Sequence, residues 1–405
     1  MIKKLYTVSM NYISDNEINK NKLMDRFVRY VQIWSESDEV AADKGVFPST
    51  PQQIEFAKIL KEELDQLGLS EVQLTKDGYV YGFLPGNGDS KAESILLLAH
   101  MDTTQEVTGK NVKPQLKKVN TENESDIIIT SDGTTLLGGD DKAGVAAIMS
   151  TAAFFVENPQ LKHRPLEIIF SPDEETGHGM DKVPLKLIKS KAAYTVDGGS
   201  IGEMETECFN AWGANITFTG KATHTGYAKE GGMVNATVMA SAFVAALPRH
   251  KAPETTENYE GFIAPMQISG TIESAEVSLL LRSFYADEIE EEKQIIQNIA
   301  RAVESSFGGK VQVNFKQQYL NMHDKMEQNP KVVEQLEKAY KAAGVQIIKK
   351  PIRGGTDGSR LTEMGIPTPN IFTGAHEIHS RNEWVSLNQM SKAADVLINL
   401  LSQIE

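Results

Sequence analysis

The sequence predicts an α/β chain: a mostly parallel sheet flanked by helices, interrupted by a smaller inserted α+β domain of ferredoxin-like order. Three observations lead there. Short, continuously apolar runs recur at residues 95–99, 166–170 and 192–196, with helix-like segments between them, the texture of strands buried on both faces. From 209 to 319 the pattern changes to strand, helix, two strands, helix and strand, a ferredoxin-like unit. And 405 residues exceed what one core usually covers, so two domains are expected.

Taken in order, residues 1–22 are polar and weakly patterned, a peripheral extension in which Ser9, Asn11 and Ser14 interrupt any signal-peptide core. Leu23, Phe27, Val31 and Trp34 then recur at helical spacing. Ser49-Thr50-Pro51 opens a second helix with a cap and a first-turn proline, and its stripe Ile54, Ala57, Leu60 and Leu64 closes at Gly68. Residues 72–74 and 79–83, separated by Lys76-Asp77-Gly78, read as a hairpin.

The three buried runs follow, and residues 368–373 read as a later strand of the same sheet. Each run leads at once into residues of catalytic type: His100, then Asp173-Glu174-Glu175, then Asp197, and finally the stretch from His376 to His379. Ligands of open α/β sheets bind at the carboxyl ends of strands, so these side chains should converge. In the insert, strands are expected at 215–219, 262–268, 277–285 and 311–315, with helices at 234–247 and 286–307. The first domain, residues 1–208, resumes over 320–405 with a helix at 331–343; the insert is 209–319.

Bulk properties exclude several partners. A net charge of -14 with no basic stripe argues against nucleic acid. The longest apolar segment, 236–247, is too short to span a bilayer. The single cysteine, Cys208, rules out an internal disulfide framework, fits a reducing compartment, and reads as a small buried apolar group rather than a nucleophile. A cytoplasmic protein is expected.

The chemistry centres on Leu136-Leu137-Gly138-Gly139-Asp140-Asp141, running into the apolar Val145-Ala146-Ala147-Ile148-Met149. The glycines permit a sharp turn, and the acids fall where a helix dipole favours negative charge. A cap needs one acid; the second is surplus unless a cation sits there. Together the strand ends supply His100, Asp102, Asp140, Asp141, Glu174, Glu175, Asp197 and His379. Taken singly, such a histidine is more often a satisfied polar residue and such an acidic pair a solvated helix start; their recurrence at strand ends points to a site. Packing so many acids without cations would raise their pKa values.

Mixed His and carboxylate ligands suit zinc, cobalt or manganese, and the absence of cysteine among them argues against a structural zinc site. A two-metal site needs a bridging carboxylate, with ions roughly 3.5–4 Å apart; Asp140 is assigned that place. His100 and Asp102 lie two apart on an extended segment, so they share a face and Asp102 can orient the imidazole. Of the neighbours Glu174 and Glu175, one can ligate while the other acts as general base. No Gly-Lys-Ser/Thr ending supports a phosphate loop, and no Gly-x-Ser-x-Gly elbow supports a serine hydrolase.

AHMDT (99–103), GGDDKAGVA (138–146), SPDEETGHG (171–179), VDGG (196–199), RGGTDGSRLTEMGIPTPNIFTG (353–374) and HS (379–380) resemble the peptidase T-like aminopeptidases, within the carboxypeptidase G and aminoacylase superfamily of co-catalytic zinc peptidases. The likeness runs from about Leu23 to the C-terminus. It implies two divalent ions, zinc first with cobalt or manganese as alternatives. One would be held by His100, Asp140 and Asp197, the other by Asp140, Glu175 and His379. Glu174 would be the general base and Asp102 the residue orienting His100. The inserted domain would act as lid and dimerise, giving a homodimer, and supply His224 to the tetrahedral oxyanion. Arg282 matches a lid arginine of the superfamily. Arg353, beside Gly354-Gly355, suits a substrate carboxylate: its planar fork pairs with two oxygens.

The expected function is release of the N-terminal residue from short peptides, by a hydroxide bridging two metals with Glu174 as base. Two rivals remain: an N-acyl amino acid deacylase or carboxypeptidase using the same site, and a non-catalytic protein that uses a cation only for folding. The presence of a second, adjacent glutamate speaks against the last.

Overall fold

The strand Ile95–His100 lies inside an eight-stranded sheet of the computed structural model, which describes residues 18–88, 92–120 and 125–404. The chain divides into two compact units, residues 1–204, 330–349 and 368–405 in the first, and 205–329 with 350–367 in the second. Residues 1–17 of the expected N-terminal extension lie outside the described residues. Ile18 is buried and its N–H donates to Asp395 Oδ1 (3.1 Å). The first helix, Lys20–Val31, opens three residues before its apolar stripe because the Asn19 side chain accepts from the N–H groups of Asn21 and Lys22.

In the first unit the sheet order is Ser70–Leu74, Val80–Leu84, Leu166–Ser171, Ile95–His100, Ala193–Gly198, Asn370–Phe372, Glu203–Glu205, Ile348–Lys349. Ile95–His100 pairs in parallel with Leu166–Ser171 and with Ala193–Gly198, which pairs in parallel with Asn370–Phe372. The hairpin of the first two strands adds an antiparallel edge. Every residue of Ile95–His100 and Leu166–Ser171 is buried, Glu167 included, as strands covered on both faces require. The helix Gly139–Glu157 packs on Ile95–His100 and Ala193–Gly198 and against the helices Lys20–Val31 and Leu387–Leu401. Gly144 permits its close approach to the sheet: a Cβ there would fall 1.8 Å from the Val196 carbonyl oxygen.

A second, antiparallel sheet joins Ala375–His376, Trp384–Ser386, Ser125–Thr130 and Gln115–Asn120. Between its first two strands lies the turn that carries His379.

The second unit follows the predicted β-α-β-β-α-β order: Asn210–Thr219, Ala236–Ala245, Phe262–Gly270, Ser274–Ser283, Ala286–Phe307, Lys310–Tyr319. Its sheet runs Phe262–Gly270, Ser274–Ser283, Asn210–Thr219, Lys310–Tyr319, antiparallel throughout. The alternation of Ser274–Ser283 turns Val277, Leu279 and Leu281 inward, onto a core with Met239, Phe243, Ile289 and Ile296 from the two helices. The first strand begins at Asn210, earlier than its apolar alternation suggests, because Asn210 and Gly213 carry no apolar signal. Residues 350–367 are fastened here: Arg353 Nη1 donates to the carbonyls of Asn258 (2.7 Å) and Glu260 (2.9 Å), and Arg360 Nη1 to that of Gln318 (2.7 Å). Among the described residues, no helix is long and apolar enough to cross a membrane.

Candidate metal centre

The first unit brings His100, Asp102, Asp140, Glu174, Glu175, Asp197 and His379 to one end of its sheet, each for a local reason. His100 closes its strand, and Asp197 sits near the end of the next one. Gly138, in left-handed backbone at φ 83°, turns the chain so that Asp140 enters ahead of the helix. The Asp140–Asp141 peptide is cis. Asp173 and His379 also hold left-handed backbone, at φ 58° and 59°, uncommon for residues with a Cβ. Both lie in turns that present site residues.

Asp140 stands between the two histidines. Its Oδ1 is 3.0 Å from His100 Nε2 and its Oδ2 is 3.4 Å from His379 Nε2. Asp197 Oδ1 approaches the same His100 nitrogen at 3.5 Å, and Glu175 Oε2 the same His379 nitrogen at 2.9 Å. The ring nitrogens not facing Asp140 have other partners. His100 Nδ1 lies 3.1 Å from the Asp102 carbonyl oxygen; a carbonyl only accepts, so Nδ1 carries a proton and Nε2 is the nitrogen that could give its lone pair to an ion. His379 Nδ1 faces Glu106 at 3.7 Å.

Asp102, fully buried, accepts from the N–H of Glu174 on Oδ1 and from that of Glu175 on Oδ2, both at 3.1 Å. One side chain thus ties the His100 strand to the turn bearing both glutamates. Thr104 N–H donates to Glu175 Oε1 (3.1 Å), leaving Oε2 towards His379.

Whether these groups fit cations can be read from their charges. Burial disfavours a charged His100, yet Asp197 and hydrogen bonds to Asp102, Asp140 and Asp197 outweigh it and hold its pKa well above the usual value. Hydrogen bonds to Asp140 and Glu175 push His379 up to about 11. Burial opposes the charge of Asp140 as well, but hydrogen bonds from both imidazoles hold it below the usual carboxylate range. Burial raises Glu175 to about 7 and Asp197 to about 6. The acids therefore draw positive charge towards the imidazole nitrogens that face them, and a divalent cation would satisfy the same carboxylates.

The donor atoms of His100, Asp140 and Glu175 lie within 4.8 Å of one another, as do those of His100, Asp141 and Asp197. Asp141 is less available than that proximity suggests. Its Oδ2 accepts from the His100 N–H (3.2 Å) and its Oδ1 from the Gly144 N–H (3.1 Å), so it braces backbone.

The other candidates belong to the second unit. His224 is exposed, its Nδ1 accepting from Gly226 N–H (3.1 Å). Arg282 donates from Nη1 to the carbonyls of Leu281 (3.0 Å) and Trp212 (3.3 Å) and lies over the Tyr319 ring. Arg353, besides its two carbonyl partners, reaches the Thr256 hydroxyl from Nη2 at 3.2 Å and lies over the Phe209 ring.

Three supporting residues were given no role by the sequence, although Lys142 and Asn370 fall within quoted motifs. Asn370 Oδ1 accepts from the Asp197 N–H (3.2 Å). Lys142 is buried with Nζ on the Ile33 carbonyl (2.6 Å), and burial brings its pKa down to about 7. Glu383 accepts from the N–H groups of Leu137, Gly138 and Asp140. Only tertiary contact reveals what each one holds.

Residues 96–403 match the model of Peptidase family M20/M25/M40. A Peptidase T from Clostridium perfringens (strain SM101 / Type A) is 42% identical over 402 residues, covering 94% of this chain and 98% of that protein. A tripeptidase from Staphylococcus aureus has a similar fold, with TM-score 0.79 and 24% identity over 96% of this chain and 99% of that one. So does an aminopeptidase PepT from Bacillus cereus ATCC 10987, with TM-score 0.76 and 24% identity over the same shares.

Proposed function

The chain belongs to Peptidase family M20/M25/M40, and from that premise we propose that it is a metal-dependent aminopeptidase releasing the N-terminal residue of short peptides. The observation that carries this is the Asp140 carboxylate set between His100 and His379, one oxygen to each. Two divalent ions fit there, one with His100, Asp140 and Asp197, the other with Asp140, Glu175 and His379; zinc is our choice, because the donors are imidazole and carboxylate without thiolate. Bound ions would polarise the scissile carbonyl and bring the pKa of water from about 15.7 to near 7.

Glu174 is the proton carrier: it takes a proton from water and returns it to the leaving amine. The hydrogen bond from its own N–H to Asp102 Oδ1 fixes its backbone relative to His100. Asp102 thereby serves as a positioning residue for His100 and Glu174 together. From the second unit we assign His224 to the oxyanion, Arg282 to substrate contact, and Arg353 to the substrate carboxylate through Nη2, since Nη1 is committed to Asn258 and Glu260. A lid of 209–319 that also takes in 320–329 and the Arg353 segment, 350–367, rather than leaving all of 320–405 to the catalytic domain, together with a homodimer formed through that lid and a cytoplasmic location, completes the proposal.

The test is activity of the metal-reconstituted protein on free tripeptides, N-blocked dipeptides and N-acetyl amino acids. Turnover only of peptides with a free amine supports the aminopeptidase. Turnover of N-acyl amino acids alone would replace it with a deacylase, and no turnover of any with two ions bound would leave a metal-binding protein.

A further inference from the structure

Glu383 lies four residues after His379, beyond the turn that carries it, and its side chain is almost fully buried, at 1% exposure. Both oxygens are spent on backbone N–H groups of one short segment. Oε2 accepts from Leu137 and Gly138, each at 2.7 Å, and Oε1 accepts from Asp140 at 3.0 Å. Three donors on one carboxylate describe the whole turn that delivers Asp140. Without this acceptor those N–H groups, in a buried stretch ahead of the helix, would lack partners.

We propose that Glu383 is a positioning residue for the metal centre: it fixes the Gly138-Gly139 turn so that the two oxygens of Asp140 face His100 and His379. One segment, 379–383, then supplies a ligand of one ion and the brace of the residue shared by both. The inference rests on the two-ion reading of the site. It goes beyond that reading by assigning shared-ligand placement to a residue that touches no ion.

Glu383→Gln isolates the effect. The amide keeps its oxygen best on the two N–H groups of Leu137 and Gly138, which turns its NH2 towards the Asp140 N–H. Two donors then face each other at Asp140 itself. Gly139→Ala reaches the same brace without changing a charge, since its Cβ would fall 2.6 Å from Val385 Cγ2 and 3.1 Å from Glu383 Oε1.

Cobalt(II) binding to the full-length chain, by calorimetry and by visible absorption of the bound ions, is the measurement. Wild type should take up two ions. Glu383→Gln, folded by circular dichroism, should bind them roughly ten- to a hundredfold more weakly, with a shifted absorption band. A merely structural role would lower the melting temperature and leave the cobalt spectrum alone. If wild type binds two ions and Glu383→Gln matches it in affinity and spectrum, the positioning role is overturned while the metal centre stands. Wild type taking up no cobalt pair overturns both. Should Glu383→Gln fail to fold, Gly139→Ala decides by the same criteria.

Discussion

Glu174 and Glu175 are chemically identical, adjacent in sequence, and bound through their N–H groups to the two oxygens of one carboxylate, Asp102. What separates them is where their side chains go. Glu175 is drawn to His379 and Thr104, whereas Glu174 is the one left to handle protons in the proposed reaction. Glu174→Ala should accordingly keep two ions bound by metal analysis and lose roughly 10² to 10⁴ in kcat, the range spanned by general acid–base catalysis. An alanine variant that keeps most of its turnover would remove Glu174 from the mechanism. That such neighbours must diverge was legible from adjacency alone. Which of them ligates came only from the family resemblance and not from the pair itself, because the contacts that set Glu175 apart are with Thr104 and His379, distant in sequence.

At the scale of elements, the strands buried on both faces were readable from their apolar runs; Ile95–His100 and Leu166–Ser171 fall where those runs do, and the one acid in them, Glu167, is buried against the N–H groups of Lys189 and Ser190. The strand Gln115–Asn120 was not readable, because nearly every residue of it is exposed and no alternation survives. Gly144 was visible only as a letter of a motif. Its Cβ would meet the Val196 carbonyl at 1.8 Å and Asp141 Oδ1 at 2.4 Å, so Gly144→Ala must push the helix Gly139–Glu157 off the sheet. We expect a loss of about 3 kcal/mol or more in urea unfolding, at the upper end of overpacking costs.

The helix Ala286–Phe307 teaches the converse. Its buried face runs through Ile289, Ile296, Ala300 and Val303, yet Glu292 lies on the same face, fully buried. Its Oε2 has no hydrogen-bond partner, and Oε1 meets Lys251 Nζ at 3.3 Å. Burial, against the weaker opposing pull of Lys251, raises its pKa from 4.5 to about 8. Within that window the folded protein keeps a proton that the unfolded chain has released, so this group's contribution falls as pH rises from 4.5 towards 8. Glu292→Gln removes the slope. Its stability relative to wild type should improve by more than ~1 kcal/mol between about pH 5 and about pH 8. A difference that stays flat over that range would mean Glu292 is ionised in the native protein.

For the whole molecule, the residues assigned to hold metal, His100, Asp140, Glu175, Asp197 and His379, come from segments spread over most of the sequence and all belong to the first unit. The fold converts that dispersion into proximity, with His100 and Asp197 on strands, Asp140 at the entry to a helix and His379 in a turn, so strand-end position and the short motifs were informative together. The same arrangement dictates how metal feeds back on stability. Ions that bind only the folded first unit stabilise it by mass action, about 2.7 kcal/mol at a hundredfold excess over the dissociation constant. They would also offset the repulsion among Asp140, Glu175 and Asp197, where burial together with neighbouring acids makes Glu175 and Asp197 resist ionising. Hydrogen exchange with and without a chelator should register both effects locally. Metal should slow exchange over residues 97–104, 137–145, 171–176, 194–199 and 375–386, the ligand-bearing turns and the Glu383 brace. Strands such as Ser274–Ser283, which hold no ligand and close their own core, should exchange at unchanged rates. Equal protection spread evenly over both units would contradict a centre built from the first alone.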